Sequence, residues 1–516
     1  MPESTSRILC PPRILAPTNV VCIVIYTASV PALVPVIDHS EFAHADIQTE
    51  QASFGWQVGN NGAPSHRVCP CVDIPYEPTQ ANTSIASRRS IQELLPTRHR
   101  TINMADEVAI IGAGLSGLAL ALALQQQGIK ATIYESRPAP LNIGGAVMLS
   151  PNALKVLDAL GVYQEVRSKG FNFEELELQK VDGELLETYE FGSKQKYGYP
   201  GNRIYRFELI DIILSKIKAE GVPVVFGRKY TRVVEETNEH VIWECADGEQ
   251  HTASWLVGAD GIHSTVRKYL YPDLVPRFTR MAGITAAVPT APARHHGKPI
   301  TKPLTIISEG KGAFVVAPQK VDGSEMLIGK QRRIDELDRE GWDNFSADRE
   351  SLIKFMQEDA EAFGEVAITA TQHIDPKKMN VWPFYVIPEL DKWASAKRRV
   401  VILGDSAHAI PPSAGQGINQ AFEDVYIFAL LLAAAKGGNV KVEDALAFWQ
   451  RYRQDRVKRV LDLNKQIDLR RLPQDQLTGL AAEGIARQQF DLTWLYAPDF
   501  KADVDNWVKS VSVESA

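Results

Sequence analysis

The chain has 516 residues, of which 45% are hydrophobic and 23% are charged, and its formal net charge is −7. These values are typical of a globular protein long enough for two or three domains with a substantial core. The acidic excess is spread along the chain and the sequence pI is near 6.0, which gives no electrostatic basis for binding nucleic acid.

Residues 1–103 differ in composition from the rest of the chain. They hold four of the five cysteines, are rich in Pro, Ser, Thr and Asn, and show no sustained helical or strand period. An apolar run at residues 20–37 leaves two interpretations open: a membrane or secretory segment, or part of a disordered or non-native extension. Met104 is the natural start in the second case. Only Cys245 follows it, which favours a reducing, cytoplasmic location, with membrane anchoring through the apolar run as the alternative.

The stretch 107–135 has the pattern of a dinucleotide-binding βαβ unit. A short apolar strand leads into Gly112, Gly114 and Gly117, a helix with one buried face follows, and a second strand ends on Glu135. The three glycines allow a tight turn, close approach to a pyrophosphate and close helix–strand packing, while Glu135 can accept a hydrogen bond from a ribose hydroxyl. The pattern predicts a dinucleotide site; a glycine-rich packing turn is the alternative.

The next part of the chain alternates short helices and hairpins. A loop up to Gly145 precedes a helix that opens at Pro151, and a second helix begins close to Arg206. Hairpin turns are predicted at residues 182–183 and 247–248, where Asp-Gly pairs separate strand-like runs.

Two later strands end on glycine and aspartate. The first, in WLVGADGIHSTVR, ends beside Asp260 and Gly261. The second, in RVVILGDSAHAIPPSAGQGINQAFEDV, ends on Asp405 and is followed by the glycine-rich loop 415–419 and a long apolar helix. Each aspartate is thereby placed at the carboxyl edge of a parallel sheet, where ligands bind.

The order of these three motifs resembles that of the class A flavoprotein monooxygenases, the family of para-hydroxybenzoate and salicylate hydroxylases and of tetracycline-inactivating monooxygenase. The resemblance covers about residues 106–460 and is greatest to members used in fungal secondary metabolism. It implies an α/β fold with a Rossmann-like FAD-binding domain, a β-sheet substrate domain and C-terminal helices. The expected segments are 104–280 for the first part of the FAD-binding domain (with 171–200 adding strands toward the substrate), 281–390 for the substrate domain, 391–470 for the second FAD-binding part and 471–516 for a C-terminal helical segment.

The resemblance also implies roles for individual residues. The three glycines of the first motif and Glu135 match the ADP-binding part of an FAD site. Arg206 matches an arginine at the head of a helix that contacts the dinucleotide, and Asp260-Gly261 matches a motif linked to FAD and NAD(P)H. Asp405 matches the acid near the ribityl or pyrophosphate region. The 415–419 loop faces the pyrimidine edge of the flavin, where a helix N-terminus stabilises negative charge. The residues expected to bind the cofactor are Gly112, Gly114, Gly117, Glu135, Gly145, Arg206, Asp260, Gly261, Asp405, Gly415, Gly417, Ile418 and Asn419.

The expected substrate domain carries fewer sequence motifs than the FAD-binding parts. A hairpin is predicted at residues 322–323, in a sheet that roofs the flavin, and a charged helical insert at about residues 332–363. Trp382, Phe384 and Tyr385 are candidate substrate contacts, with ordinary core packing as the alternative.

Structural roles are predicted for three further features. Ser406 stands where alanine is common in the family and is expected to be harmless, and His408 is expected to order its loop rather than act as an acid or base. The basic helix after Trp449 is expected to be a solvated closing element. Its arginines are Arg451, Arg453, Arg456 and Arg459.

The sequence shows no nucleophile–base pair, metal-ligand cluster or second glycine-rich unit for a nicotinamide, so no catalytic side chain is assigned and no metal is expected. As the resemblance implies, NAD(P)H reduces FAD and O2 forms a C4a-hydroperoxyflavin. This species hydroxylates or epoxidises an electron-rich aromatic, polyketide or terpenoid metabolite. A non-catalytic flavin-fold protein and an oxidative cyclase stay as alternatives, and the choice between NADH and NADPH stays open.

Overall fold

The computed structural model describes residues 106–140, 145–470 and 491–514. The expectations for the extension at residues 1–103 and for its apolar run lie outside these residues.

The described strands are β1 (Asp106–Ile111), β2 (Ala131–Glu135), β3 (Ala146–Leu149), β4 (Phe171–Phe173), β5 (Glu175–Lys180), β6 (Leu185–Glu190), β7 (Gly201–Tyr205), β8 (Val224–Phe226), β9 (Tyr230–Glu236), β10 (Val241–Cys245), β11 (Gln250–Gly258), β12 (Arg277–Pro289), β13 (Arg294–His295), β14 (Lys298–Pro299), β15 (Leu304–Ser308), β16 (Gly312–Pro318), β17 (Glu325–Arg333), β18 (Met379–Val386) and β19 (Val400–Ile402).

The described α-helices are α1 (Leu115–Gln126), α2 (Pro151–Ala159), α3 (Tyr163–Lys169), α4 (Lys194–Tyr197), α5 (Arg206–Ala219), α6 (Arg267–Leu270), α7 (Arg339–Ala347), α8 (Arg349–Gln357), α9 (Glu365–Thr371), α10 (Asp405–His408), α11 (Gly417–Lys436), α12 (Val442–Arg470), α13 (Thr493–Tyr496) and α14 (Phe500–Glu514). Short 3-10 helices lie at Ala360–Phe363, Pro376–Lys378 and Pro412–Ala414.

The first sheet has the predicted Rossmann-like character. Its strand order is β8-β2-β1-β11-β10-β9, and β19 pairs with the second half of β11. β8, β2, β1, β11 and β19 run parallel, whereas β10 and β9 form an antiparallel extension. Ile111 lies opposite Gly258, and Gly258 lies opposite Ile402. The three motif-bearing strands therefore end side by side at one edge of the sheet.

Helix α1 is buried on nearly every side, so the prediction of a single buried face is wrong. Leu118, Leu120 and Leu124 are each 0% exposed, although residues two apart point in nearly opposite directions on a helix. The reason is that α1 packs against β2 on one side and against α5 and α11 on others. Full burial of each leucine contributes about 1.5–3 kcal/mol.

The second sheet is a seven-stranded layer with the order β18-β12-β17-β16-β15-β5-β6. Its neighbours are antiparallel except for the parallel pair β5 and β15. The hairpins predicted at residues 182–183 and 322–323 connect β5 to β6 and β16 to β17. The charged insert is helical, and Leu352 and Met356 of α8 pack with Ile284 on one face of the sheet. We call this second sheet the roof sheet.

A third sheet, β3-β7-β4, is antiparallel and lies beside both larger layers. Leu149 and Ile204 on one of its faces join the core of the first sheet. Gly170, directly before β4, forms an isolated bridge with Lys320 next to the roof sheet.

Helix α11 is the central helix of the first domain. It packs against α1, α2, α12 and α14. Its length and apolar composition would allow it to cross a membrane, but 67% of the apolar stretch is buried within the protein, as in the core helix of a folded domain.

Candidate active site

Glycine is required once in the turn between β1 and α1 and once in the first turn of α1. Gly112 has φ +108°, and an added Cβ would lie 2.6 Å from the Ala259 carbonyl oxygen. At Gly117 an added Cβ would lie 2.0 Å from the Gly112 carbonyl oxygen. No atom lies within 4 Å of the corresponding position at Gly114, so the backbone at the helix N-terminus faces open space. A phosphate can approach amides arranged in this way.

Glu135 holds this turn from the end of β2. The side chain is 5% exposed, and its Oε2 accepts a hydrogen bond from Ala113 N at 2.8 Å. Its Oε1 accepts from Arg137 N at 2.9 Å and from Ser136 Oγ at 3.0 Å. Because a carboxylate oxygen has two acceptor positions, Oε2 retains one for a ribose hydroxyl.

Arg206 and Asp405 lie close enough at the carboxyl edge of the first sheet for the charge of each to affect the other. Arg206 begins α5, its backbone N donates to Gly145 O at 3.2 Å, and its Nε is buried without a partner among the described residues. Desolvation lowers the pKa of Arg206, and the Asp405 charge opposes this. The Asp405 carboxylate is exposed, yet loss of surrounding water raises its pKa, with His408 and Arg206 opposing the rise. An exposed but poorly hydrated carboxylate is typical of a deep cleft.

Asp260 and Gly261 are held by Ser406. Asp260 Oδ2 accepts from Thr265 N at 2.7 Å, while its Oδ1 accepts from Ser406 Oγ at 3.1 Å. Gly261 N donates to Ser406 Oγ at 3.0 Å. The Ser406 hydroxyl thus joins the ends of β11 and β19. The sequence predicted only that serine in place of alanine is harmless, and did not predict this connection. Both oxygens of the Asp260 carboxylate therefore accept hydrogen bonds from the protein.

The loop before α11 is fastened to β3 by Asn419. Asn419 Oδ1 accepts from Ser150 N at 3.0 Å, and its Nδ2 donates to Met148 O at 3.0 Å and to Gly415 O at 2.6 Å. The side chain therefore fixes the shape of the loop. An added Cβ at Gly417 would meet no atom within 4 Å, so the first turn of α11 is open on this side.

A buried network of polar and charged groups lies beneath that loop. Asn152 Nδ2 donates to Glu423 Oε1 at 2.6 Å and to Gln416 Oε1 at 3.3 Å. Glu423 pairs with Arg453 and with Arg456, whose Nε lies 2.6 Å from Glu423 Oε2. The flavin-facing loop predicted from the sequence is therefore connected through two amides to an ion cluster.

The prediction of a solvated basic helix is wrong for two of its arginines. Arg453 is 0% and Arg456 is 8% exposed, because α12 crosses α11 and both guanidinium groups neutralise acids there. Arg451 and Arg459 are exposed. The sequence reasoning missed the buried acids; their signal is an adjacent pair, Glu423-Asp424, in an otherwise apolar helix.

His408 contacts this network, in keeping with a structural role. Its Nε2 lies 2.6 Å from Asp424 Oδ2, which also accepts from Gly404 N at 2.8 Å. Burial raises the pKa of Asp424, but His408 and Arg453 outweigh burial and lower it. For Glu423, likewise, Arg453 and Arg456 outweigh burial and lower the pKa.

The three candidate substrate aromatics divide between two faces of β18. Trp382 is 53% exposed, and its ring centroid lies 6.0 Å from the Arg206 guanidinium. Phe384 follows on the same face because side chains alternate along a strand. Tyr385 points to the other face, where its hydroxyl accepts from Trp342 Nε1 at 3.2 Å. The structure therefore brings Trp382, Arg206 and Asp405 together and places Tyr385 in a separate aromatic cluster.

Comparison with known proteins identifies the family. The family model described as an FAD binding domain matches residues 105–464. A 3-amino-4-hydroxybenzoate 2-monooxygenase of Streptomyces platensis is 27% identical over 361 residues, which cover 69% of this chain and 86% of that protein. An FAD-dependent monooxygenase of Gibberella moniliformis is 29% identical over 441 residues, covering 77% and 95% of the two chains.

Solved structures show the same fold. Klebsiella pneumoniae HpxO, complexed with FAD and uric acid, has a TM-score of 0.61 at 22% identity, covering 78% of this chain and 97% of its own. P. aeruginosa PqsL in complex with 2-aminobenzoylacetate has a TM-score of 0.57 at 27% identity, covering 71% of this chain and 97% of its own. With the family match over most of its length, the chain belongs to the FAD-binding family of class A flavoprotein monooxygenases.

Proposed function

We propose that the protein is an NAD(P)H-dependent oxygenase of an electron-rich aromatic small molecule. In the balanced reaction NAD(P)H, one proton, O2 and the substrate give NAD(P)+, water and a product with one additional oxygen atom. The relatives support an aromatic substrate, since their names include a 3-amino-4-hydroxybenzoate 2-monooxygenase and a 6-methylsalicylate 1-monooxygenase.

The residues at the sheet edge fit FAD. The open backbone at Gly114 can receive the pyrophosphate, and Glu135 retains an acceptor for the ribose. Arg206, whose Nε has no partner among the described residues, adds a positive charge near Asp405. When bound, FAD would supply the redox chemistry, by accepting a hydride from the nicotinamide and delivering the electrons to O2. The flavin-facing groups would be the amides at the start of α11, near Gly417.

The observation that carries the proposal is the convergence of Arg206, Asp405 and Trp382 in one cleft. The first two lie at the edge of the first sheet, while Trp382 lies on the roof sheet. Trp382 and Phe384 share the face of β18 that would cover a bound flavin ring and limit the access of water to it. The positive end of α11 favours negative charge opposite Gly417, as a reduced flavin ring requires.

The test measures cofactor and turnover in the same preparation. We expect purified protein to be yellow with FAD and to oxidise NADPH or NADH faster when a phenolic or aminophenolic substrate is present. Labelled O2 should appear in the product as one oxygen atom. If the protein contains FAD but oxidises neither NADPH nor NADH with any of the phenolic and aminophenolic compounds tested, the non-catalytic alternative is favoured. Nucleotide oxidation with ring closure and no added oxygen would favour an oxidative cyclase.

A further inference from the structure

Five polar side chains are fully buried behind the loop that precedes α11. They belong to the start of α2, to the loop and to the first turns of α11, and they are Ser150, Asn152, Gln416, Gln420 and Glu423. Buried polar groups are costly unless every one is paired, and here each side-chain oxygen and nitrogen has a partner. A fully satisfied network of this kind fixes the elements that it joins.

Ser150 is placed to cap a helix, but its hydroxyl serves the loop. Ser150 directly precedes α2, where a serine side chain commonly accepts from a helix amide, yet it makes no such bond. Its Oγ instead donates to Asn152 Oδ1 at 2.6 Å and accepts from Gln416 Nε2 at 2.9 Å. The start of α2 is therefore used to hold the loop.

The hydrogen bonds between Gln416 and Glu423 run in one direction. Asn152 Nδ2 donates to Glu423 Oε1 at 2.6 Å. Because an ionised carboxylate only accepts, this bond turns Asn152 Oδ1 toward Ser150. The Ser150 hydroxyl must then donate to Asn152, which leaves its oxygen to accept from Gln416. The ion cluster on α12 thus determines how the Gln416 amide is oriented, and successive bonds of such a chain strengthen one another.

Two attachments to Ser150 fix the first turn of α11. Gln416 stands between Gly415, with φ +64°, and Gly417, the first residue of the helix. Glycines on both sides would leave this backbone free to move. The Gln416 side chain holds the turn on the Ser150 hydroxyl, and Asn419 Oδ1 holds it on Ser150 N at 3.0 Å. Attachments on either side of Gly417 restrict rotation of the turn as well as its position.

We propose that Gln416 is a positioning residue, which holds the first amides of α11 against the flavin ring and thereby strengthens the binding of reduced FAD relative to oxidised FAD. This inference rests on the FAD site of the proposed function. The Gln416 side chain is buried on the protein side of the loop, so it acts through the backbone. Reduced flavin carries negative charge, and its stabilisation by helix N–H groups depends on their distance and direction. Loss of the attachment should therefore weaken the reduced form more.

The experiment measures the reduction potential of bound flavin in Gln416→Met. Methionine keeps the length of the side chain but cannot make the amide hydrogen bonds. The FAD-loaded protein is reduced without air in equilibrium with a dye of known potential, and FAD content and Tm are measured on the same preparation. The affinity for reduced relative to oxidised FAD should fall by about tenfold or more, which lowers the two-electron potential by about 30 mV.

A second variant tests whether the chain of hydrogen bonds carries the effect. Asn152→Ala breaks the chain but leaves Gln420 and Arg456 bonded to Glu423 Oε1. Its potential should fall in the same direction. The double variant should shift the potential no further than the larger single shift, because both changes break one connection. Additive shifts would show that the two side chains act separately and would overturn the chain.

The control is a buried hydrogen bond far along the chain from this network. Thr371 on α9 is 2% exposed and its Oγ1 donates to Ala367 O at 2.7 Å. Thr371→Val should lower Tm without shifting the potential. A Gln416→Met protein with a lower Tm and an unchanged potential would overturn the proposal, since the side chain would then serve stability alone. If Gln416→Met does not fold, the same criterion applies to Asn152→Ala.

These measurements need no nicotinamide, oxygen or substrate. An unchanged potential in an enzyme that oxygenates its substrate would overturn this inference and leave the proposed function intact. A lowered potential in a protein without oxygenase activity would do the reverse.

Discussion

The Glu135 carboxylate serves the protein and the proposed cofactor at the same time. It accepts from Ala113 N in the glycine turn and keeps an acceptor position for the ribose. We expect Glu135→Ala to weaken FAD binding by about 1.5–3 kcal/mol, or roughly tenfold to a hundredfold in Kd, since a charge-assisted hydrogen bond is lost. Titration of apoprotein with FAD measures this. An unchanged Kd would show that Glu135 does not bind FAD. The Kd of Glu135→Gln should lie between the Kd of wild type and that of Glu135→Ala.

Ser406 illustrates how a single hydroxyl can join two strand ends. Its Oγ bonds both Gly261 N and Asp260, and the side chain is 0% exposed. Ser406→Ala leaves a buried amide without its acceptor, so we expect the free energy of unfolding to fall by about 1–2 kcal/mol. Chemical denaturation provides the measurement. Ser168→Ala, which removes an exposed hydroxyl, is the control and should change stability by less than about 0.5 kcal/mol. Equal effects of the two changes would contradict this role for Ser406.

A side chain at Gly417 is expected to impair flavin reduction without lowering thermal stability. Because no atom lies within 4 Å of an added Cβ, Gly417→Val should fold with a near-normal Tm. The same side chain would fill the space in front of the α11 amides, so we expect the rate of flavin reduction by NAD(P)H to fall at least tenfold. Stopped-flow reduction, Tm and FAD content are measured on one preparation. Normal reduction with normal FAD content would show that the flavin ring lies elsewhere.

The two long helices α11 and α12 are joined by charge as well as by apolar packing. Glu423 is 0% exposed and pairs with Arg453 and Arg456, so Glu423→Gln leaves two buried guanidinium groups short of a counter-charge. We expect the free energy of unfolding at neutral pH to fall by about 3–5 kcal/mol. Glu220→Gln, which breaks an exposed pair with Lys216, should cost less than about 1 kcal/mol.

The same cluster predicts an acid dependence of stability. The folded-state pKa values of Glu423 and Asp424 are lowered, so their contribution is fully present above the ordinary values of 4.5 and 3.8. It is lost as pH falls through the lowered values, because the unfolded chain then binds more protons. Wild type should therefore lose more stability between neutral pH and pH values below 4 than Glu423→Gln does. Identical pH profiles of the two proteins would contradict this explanation.

For the molecule as a whole, the sequence motifs and the described sheets both begin after Met104. We therefore expect a protein of residues 104–516 to fold and to bind FAD, because β1, the glycine turn and every sheet that the structure describes are built from residues beyond this point. Solubility, absorbance of bound flavin and Tm are compared with those of the full chain. A colourless or insoluble short protein beside a yellow full chain would make residues 1–103 part of the fold.

The sequence by itself determined the order of the elements and the chemistry of the sheet edge. Glycine spacing, strand length and the acids after β2, β11 and β19 are local features, and local backbone geometry has few solutions for them. The hairpins at Asp-Gly pairs were predictable for the same reason, and the order of these local motifs also carried the family resemblance. These features suffice to predict the Rossmann-like fold, the roof sheet and the FAD-binding edge.

Only the tertiary structure decided how distant residues share a site. Burial of Arg453 and Arg456 depends on two acids about 30 positions away, which no helical period within α12 reveals. In the same way strand alternation separates Tyr385 from Trp382 and Phe384, but only the packing of α7 and α8 on one face of the roof sheet decides which set faces the cleft. Gln416 reads as an ordinary loop residue until the start of α2 and the first turns of α11 enclose its side chain. Charge pairing and burial are set by contacts across the fold, because an electrostatic free energy depends on distance and surrounding dielectric rather than on position in the chain.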